Sequence, residues 1–419
     1  MDKIIVHGGS QLQGIVRVSG SKNSALPILA ATLLTKEPCI IDHVPDLSDI
    51  HYMLQILSEL GAEVERASGV VTVKAESITT SAPYDIVRRM RASVCILGPL
   101  LGREREATVS LPGGCVIGDR PIDLHLRGFE ALGAAVRVKG GDVKVLAPDL
   151  RGAEINLRGI NGTTVLGTDN VMMAAVLAEG TTVIDGAAAE PEVVDLANFL
   201  NKMGARISGA GTTRIVIEGV KELHGAEHEV IPDRIEAGTF LVAGALGGGR
   251  VELQRVQPSH LESVTAALEA AGFLIERGPD SIVIQSNGGI KPLRITTEPY
   301  PGFPTDMQAQ MCALLCLADG ASEITEVVFP QRFMHLAELK RMGADVELVG
   351  ATATLRGVAQ LSGAPVMASD LRASAALVLA GLRAEGSTEI NRVYHIDRGY
   401  EHIDDKLSML GAKIERVKV

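Results

Sequence analysis

The sequence predicts an α/β protein of two halves, each made of three repeated units with buried helices and outer sheets. Three observations carry this. A helix–Gly–strand signal recurs six times along the 419 residues. The helices that alternate with it are too apolar to leave a face in water. The length suits two or three domains at roughly 150 residues each.

The six signals occupy residues 57–64, 129–136, 200–207, 268–275, 339–346 and 407–414, with glycines at 61, 133, 204, 272, 343 and 411. Glycine just past a helical run is a stop signal, because it adopts a left-handed conformation without a Cβ clash. The alternating residues after it read as a strand. Before each signal comes an Ala/Leu-rich run, then in most copies a polar Gly-containing turn, and then a β-branched run, as in residues 176–183, 315–324 and 382–390. Each unit therefore reads helix, strand, loop, helix, strand, with further strands between units. A helix as apolar as 172–178 is expected to be buried on most sides.

Composition narrows the function. The chain is 46% apolar and 22% charged, with no Trp and 3% aromatic residues. Aromatic platforms for single-stranded nucleic acid are not expected. The net charge of −11 argues against nucleic-acid and membrane-surface partners, which need a basic face. It leaves anionic small molecules open, since a few cations in a cleft act locally. Residues 1–9 lack the basic and apolar regions of a signal peptide, and no apolar run reaches the ~18 residues of a membrane span. The five cysteines, at 39, 95, 115, 312 and 316, lie mostly in apolar runs, as suits a reducing cytoplasm. Cys312 and Cys316 are four apart with no His or further Cys nearby, so a metal site is not expected there; no cofactor is expected either.

The loop after the strand and before the second helix falls at 44–46, 112–115, 189–192, 256–258, 329–332 and 394–398. Chemistry is expected there, on loops held by a rigid scaffold. Cys115 follows Gly113 and Gly114 and precedes Arg120, which could tune the thiol or hold an anion; a bystander loop cysteine is the plainer alternative. Arg332 and Arg398 occupy two other copies. Ser21-Lys22-Asn23 precedes an apolar helix, as an anion site or a solvated turn. Arg88, Arg89 and Arg91 form a basic cluster opening another, as a ligand site or a surface face. Asp306, Asp370 and Asp233 stand near helix starts, where a cap is the plainer alternative to a functional acid.

Ser21-Lys22-Asn23, Met90-Arg91, Pro112-Gly113-Gly114-Cys115, Arg120-Pro121, Asp123-Leu124-His125, Pro232-Asp233-Arg234, Phe303-Pro304-Thr305-Asp306, Arg332-Phe333-Met334-His335, Asp370-Leu371-Arg372 and His395-Ile396-Asp397-Arg398 together resemble the UDP-N-acetylglucosamine 1-carboxyvinyltransferases, an enolpyruvyl transferase family. The resemblance runs end to end. It implies the enolpyruvyl-transferase fold, with residues 22–231 as one three-repeat domain carrying the Cys115 loop, and residues 1–21 plus 232–419 as the other. It implies transfer of the enolpyruvyl group of phosphoenolpyruvate to the 3′-hydroxyl of UDP-N-acetylglucosamine. That is the first committed step of peptidoglycan synthesis, with consequences for cell shape and division, and a target of fosfomycin.

By resemblance Cys115 is the general acid and Asp306 the base. Lys22, Arg120 and Arg398 hold phosphoenolpyruvate, with Arg91 nearby. Asn23, Asp306 and the backbone of Val328 meet the sugar, and Pro121, Asp123 and Leu124 the uridine end. Thr164 and Asp370 complete the substrate-binding set. Residues 158–170 depart from the family pattern, with about three extra residues, Leu166-Gly167 in place of Gly-Ala, and Asp169 near the expected phosphates. A nest of N–H groups at 162–164 or 167–168 is expected to meet the diphosphate, and Asp169 to point away or to cap the following 172 helix. Three other readings compete: the sister 3-phosphoshikimate 1-carboxyvinyltransferase, a paralogue using another uridine nucleotide, and an idle regulatory homologue.

Overall fold

The computed structural model describes residues 2–82, 84–87, 90–110, 122–160 and 162–418. The chain forms two compact units: Met1–Ser19 with Pro232–Val419, and the described residues between Gly20 and Ile231. Each has its own apolar core, built largely from Ala, Val, Leu, Ile and Met.

The inner helices take the burial their composition demands. Residues 235–247 of the Arg234–Gly247 helix and all of Gln308–Leu315 are buried, as are residues 167–175 of Val165–Ala175. The helices that end each repeat are amphipathic instead: Glu262–Ala270 buries only Val264, Thr265 and Leu268. Gly98 marks how closely inner helices approach. A Cβ there would meet the Asn170 carbonyl oxygen at 2.3 Å.

One sheet topology repeats. In the sheet built on Thr181–Asp185, Glu154–Asn156 pairs parallel on one side and Arg214–Glu218 antiparallel on the other, with Arg206–Ser208 beyond it. Among the described residues a short parallel pair, Leu361–Ser362 with Ala384–Glu385, stands apart, and five of the six repeat sheets have these four strands. The sixth, built on Glu106–Ser110, has three among the described residues, with a parallel Ser81–Thr108 bridge in the fourth place. Alternating burial, as in Val70–Lys74, turns one face of each sheet to the core. Closure is long-range. Glu227–Glu229 completes the sheet of Cys39–Asp42, Gly14–Arg17 that of Arg250–Gln254, and Lys3–His7 lies between Ser387–Asn391 and Lys413–Val417.

Where the chain passes between units it is pinned on each side. The Ser19 N–H donates to Glu236 Oε2 at 2.7 Å, and Lys406 Nζ bridges Ser19 Oγ and Glu236 Oε1 at 2.6 and 2.7 Å. In the other unit Asp195 accepts from the Ser24 hydroxyl, from the Ile231 N–H at 3.2 Å, and pairs with His228 at 2.8 Å.

All six repeat glycines have positive φ, from +90° to +106°. At Gly61 a Cβ would also meet the Ser77 carbonyl oxygen at 2.7 Å, whereas at Gly204 it meets only the exposed His224 ring at 3.2 Å. Gly204→Ala is therefore expected to cost the backbone strain alone, ~1–2 kcal/mol, and Gly61→Ala clearly more. Urea unfolding of the two variants, read on this unit, checks the order.

Candidate active site

The chemistry-bearing residues lie where inner helices begin. In the Gly20–Ile231 unit Ser21 is extended and its hydroxyl caps the Lys22–Ala31 helix at the Ser24 N–H. Lys22 opens that helix, buried, with Nζ 3.1 Å from Asp49 Oδ2. It is therefore no solvated turn: an ammonium with this little water needs the partner it has. Asn23 follows, half-buried.

Arg91 does not open an α-helix. It starts a 3₁₀ turn, Arg91–Ile96, which leads into Leu97–Glu104. Burial, with Arg91 adding to it, pushes the His125 imidazole down to about 3. Asn170 joins the His125 ring at 2.9 Å, donates to the Val94 carbonyl and accepts from the Gly98 N–H, tying the inner helices together under Arg91. Asp123 is exposed in the first turn of Asp123–Ala131, with Leu124 beside it. Leu124 is a neighbour of the altered segment, since a Cβ on Gly159 would lie 3.1 Å from Leu124 Cδ1.

That altered segment departs from one expectation and meets another. Gly159 and Gly162 pair across a tight turn, and the helix starts at Val165, with the Thr164 hydroxyl capping it at the Gly167 N–H. The Gly162, Gly167 and Thr168 N–H groups are thus spent inside the fold, and the expected nest does not form from them. Asp169 takes one of the two courses expected of it, turning into the core instead of capping a helix. It lies within Val165–Ala175, fully buried, and neither carboxyl oxygen has a hydrogen-bond partner among the described residues. Burial, then Glu190 and Glu192, push its carboxyl well above the usual range.

The other unit assembles a tighter cluster. Asp306 is no cap. It sits in the 3₁₀ turn Thr305–Met307, and its two oxygens take Arg332 Nη1 at 2.6 Å and Arg372 Nη2 at 3.2 Å. Its side chain is 26% exposed, against 7% for Arg332 and 3% for Arg372, so the carboxylate keeps an open edge while both guanidiniums are buried. Arg372 packs 5.3 Å from the Tyr400 ring centroid. Burial works against its charge, but Tyr400, Asp306 and Asp233 hold its pKa above the usual range. Gln310 Nε2 ties the Asp306 carbonyl, at 2.9 Å, to Thr239 and the Tyr400 hydroxyl.

Asp370 is a cap. Its Oδ1 accepts the Arg372 and Ala373 N–H groups. Asp233 caps Arg234–Gly247 in the same way. Residues 393–398 form a 3₁₀ turn rather than a loop, with Arg398 at its end and Asp397 turned away to Arg416 at 2.8 and 3.0 Å. Arg398 and Asp370 both bear on His395, which burial holds below its usual value. Val328 lies between Ala321–Thr325 and His335–Arg341, its N–H given to Glu326 at 2.9 Å.

Cys115, Arg120, Pro121, Arg88, Arg89 and Asn161 lie outside the described residues. The other four cysteines are buried thiols; burial raises Cys39 to about 11 and Cys316 to about 12. Sequence reasoning gave no role to Arg372 or Glu326. A charge in the first turn, followed by ten uncharged residues, was the signal for Arg372.

Because folding holds a proton on Asp169 that the unfolded chain releases near pH 4, this residue makes stability fall as pH rises above that value. Asp169→Asn keeps the shape and removes the titration. Urea unfolding from pH 5 to 8 is expected to show a flatter profile for the variant, with its advantage over the parent growing toward pH 8.

A family model described as EPSP synthase (3-phosphoshikimate 1-carboxyvinyltransferase) matches residues 6–407. Proteins named UDP-N-acetylglucosamine 1-carboxyvinyltransferase from Methylacidiphilum infernorum and Akkermansia muciniphila are 60% and 59% identical to this chain, each over 100% of it and 99% of their own length. The crystal structure of the enolpyruvyl transferase NikO from Streptomyces tendae superposes with a TM-score of 0.89 at 26% identity, over 100% of this chain and 99% of that one. With identity this high from end to end, the chain belongs to the UDP-N-acetylglucosamine 1-carboxyvinyltransferases, enzymes of the enolpyruvyl transferase family.

Proposed function

We propose that this enzyme transfers the enolpyruvyl group of phosphoenolpyruvate to the 3′-hydroxyl of UDP-N-acetylglucosamine and releases phosphate, in the cytoplasm, as the committing step of peptidoglycan synthesis. The observation that carries this reading is the 59–60% full-length identity to proteins of that name. The 26% identity to NikO is a far weaker tie, so it does not favour the paralogue reading.

The reaction sets the demands on the residues. Protonation of carbon 3 makes carbon 2 of the enol electrophilic. The sugar hydroxyl loses its proton and its oxygen bonds to carbon 2. The tetrahedral adduct then expels phosphate and gives up a carbon-3 proton, restoring the double bond. An acid, a base and several cations are required. We assign Cys115 as the acid and Asp306 as the base. Lys22, Arg120 and Arg398 hold the phosphoenolpyruvate, with Arg91 near. Asn23, Asp306 and the Val328 backbone hold the sugar; since the Val328 N–H serves Glu326, its carbonyl is the group left for this. Pro121, Asp123 and Leu124 receive the uridine. Thr164 opens the helix assigned to the diphosphate, where the N–H groups of Val165 and Leu166 lie in the first turn. Lys22 and the Asp306 cluster support the reading because each is held in place before any substrate arrives.

Phosphate release with phosphoenolpyruvate and a panel of uridine nucleotides and shikimate 3-phosphate tests the reaction. UDP-N-acetylglucosamine is expected to be the best acceptor; a better rate with uridine monophosphate or shikimate 3-phosphate overturns the assignment. Cys115→Ser is expected to lose most turnover with the fold intact, because a hydroxyl is a far poorer acid than a thiol, and fosfomycin is expected to alkylate Cys115 alone. Lys22→Ala and Arg398→Ala are each expected to weaken phosphoenolpyruvate binding about 10–150-fold, the equivalent of ~1.5–3 kcal/mol for a lost charge-assisted contact. Calorimetry is expected to find sugar-nucleotide binding less affected.

A further inference from the structure

Glu326, just past the Ala321–Thr325 strand, has no part in the assignments above, yet it is fully buried and four donors converge on it. Its Oε1 accepts the Thr297 hydroxyl at 2.8 Å and the N–H groups of Val328 and Phe329 at 2.9 and 2.8 Å. Its Oε2 accepts the Thr305 hydroxyl at 2.8 Å. A buried carboxylate is tolerated only when bonded in this way. The backbone bonds fold the turn carrying Val328 around it. The bond to Thr305 reaches the reacting centre.

A hydroxyl has one proton to give. Thr305 gives it to Glu326, so its lone pairs remain for Arg332 Nη1, 3.2 Å away. The same Nη1 lies 2.6 Å from Asp306 Oδ1. The four groups form a directed chain from Glu326 through Thr305 and Arg332 to Asp306. We infer that Glu326 is a positioning residue for the transfer reaction: by orienting the Thr305 hydroxyl it holds the Arg332 guanidinium on Asp306. The inference rests on the reading of Asp306 as the base.

The test compares hydroxyl deletions on the two sides of Glu326 in the full-length enzyme, with kcat, the pH profile of kcat/KM for the sugar nucleotide, and Tm as readouts. Thr305→Val is expected to lower kcat about 10-fold or more. It is also expected to move the acid limb of the profile to higher pH, because a loosened guanidinium favours the carboxylate less. Thr305→Ser restores the hydroxyl and is expected to return both to the parent values. Thr297→Val breaks a bond to the same carboxylate without touching Arg332, and is expected to lower Tm while the acid limb stays in place. Glu326→Gln, of the same shape, turns a donor toward Thr305 and is expected to lower kcat as Thr305→Val does.

If both deletions move the acid limb alike, or neither does, Glu326 is structural only and the inference fails. Asp306→Asn is measured beside them. Turnover retained in that variant overturns the base assignment and the inference with it, whereas turnover lost there with an unmoved limb in Thr305→Val overturns the inference alone.

Discussion

A helix buried on every side has only its ends to offer a ligand. That constraint governs where this protein keeps its chemistry. The inner helices are largely apolar, Asp169 and Asn170 apart, and most residues that carry charge or hydrogen bonds gather at their first turns: Lys22, Thr164, Asp233, Asp306 and Asp370 with Arg372, with Arg91 at the 3₁₀ turn leading into Leu97–Glu104. The N-terminal turn is also where a helix has unsatisfied N–H groups and a favourable field for anions. Repetition supplies six such ends from one architectural rule.

Charges at the rim of an apolar core need partners inside the fold. Lys22 has Asp49, Asp306 has Arg332 and Arg372, and Glu236 has Lys406. Pairs of this kind add little net stability, because desolvation offsets most of the attraction. Their value lies in orientation. A cation already fixed by a carboxylate loses little freedom when an anionic reactant arrives, and fixed dipoles stabilise developing charge better than water that must reorganise.

The parts of the fold legible in the sequence were those written in residue type at one position or in a short pattern. Glycine at the six helix stops means positive φ, and the apolarity of the inner helices means burial, so the repeat and the helix-inside arrangement could be read directly. What could not be read depends on residues far apart in the chain. Asp306 looked like a cap because its two arginines are 26 and 66 residues away. Asp169 looked like a possible cap for the 172 helix because nothing local shows that its helix begins four residues earlier, at Val165. Glu326 carries no motif at all; its bonds reach back 21 and 29 residues to Thr305 and Thr297.

The repeat fixes where chemistry sits without fixing which chemistry it is. The same first-turn position holds a cation at Lys22, a capping hydroxyl at Thr164 and a capping carboxylate at Asp370. Losing Lys22 would take the cation away from buried Asp49, whereas an end that only caps its helix, such as Thr164, can change its side chain at a cost of about 1 kcal/mol. This accounts for a family model described as 3-phosphoshikimate 1-carboxyvinyltransferase matching a chain whose near relatives carry the UDP-N-acetylglucosamine name. The carboxyvinyl transfer is common to both names and the acceptor differs. Within this chain the assignments to the acceptor include the exposed Asp123 as well as Asp306, which is locked by buried arginines. Under the proposed assignment, specificity therefore has room to drift at an exposed position such as Asp123, while Asp306 is held by interactions that no single exposed substitution can replace.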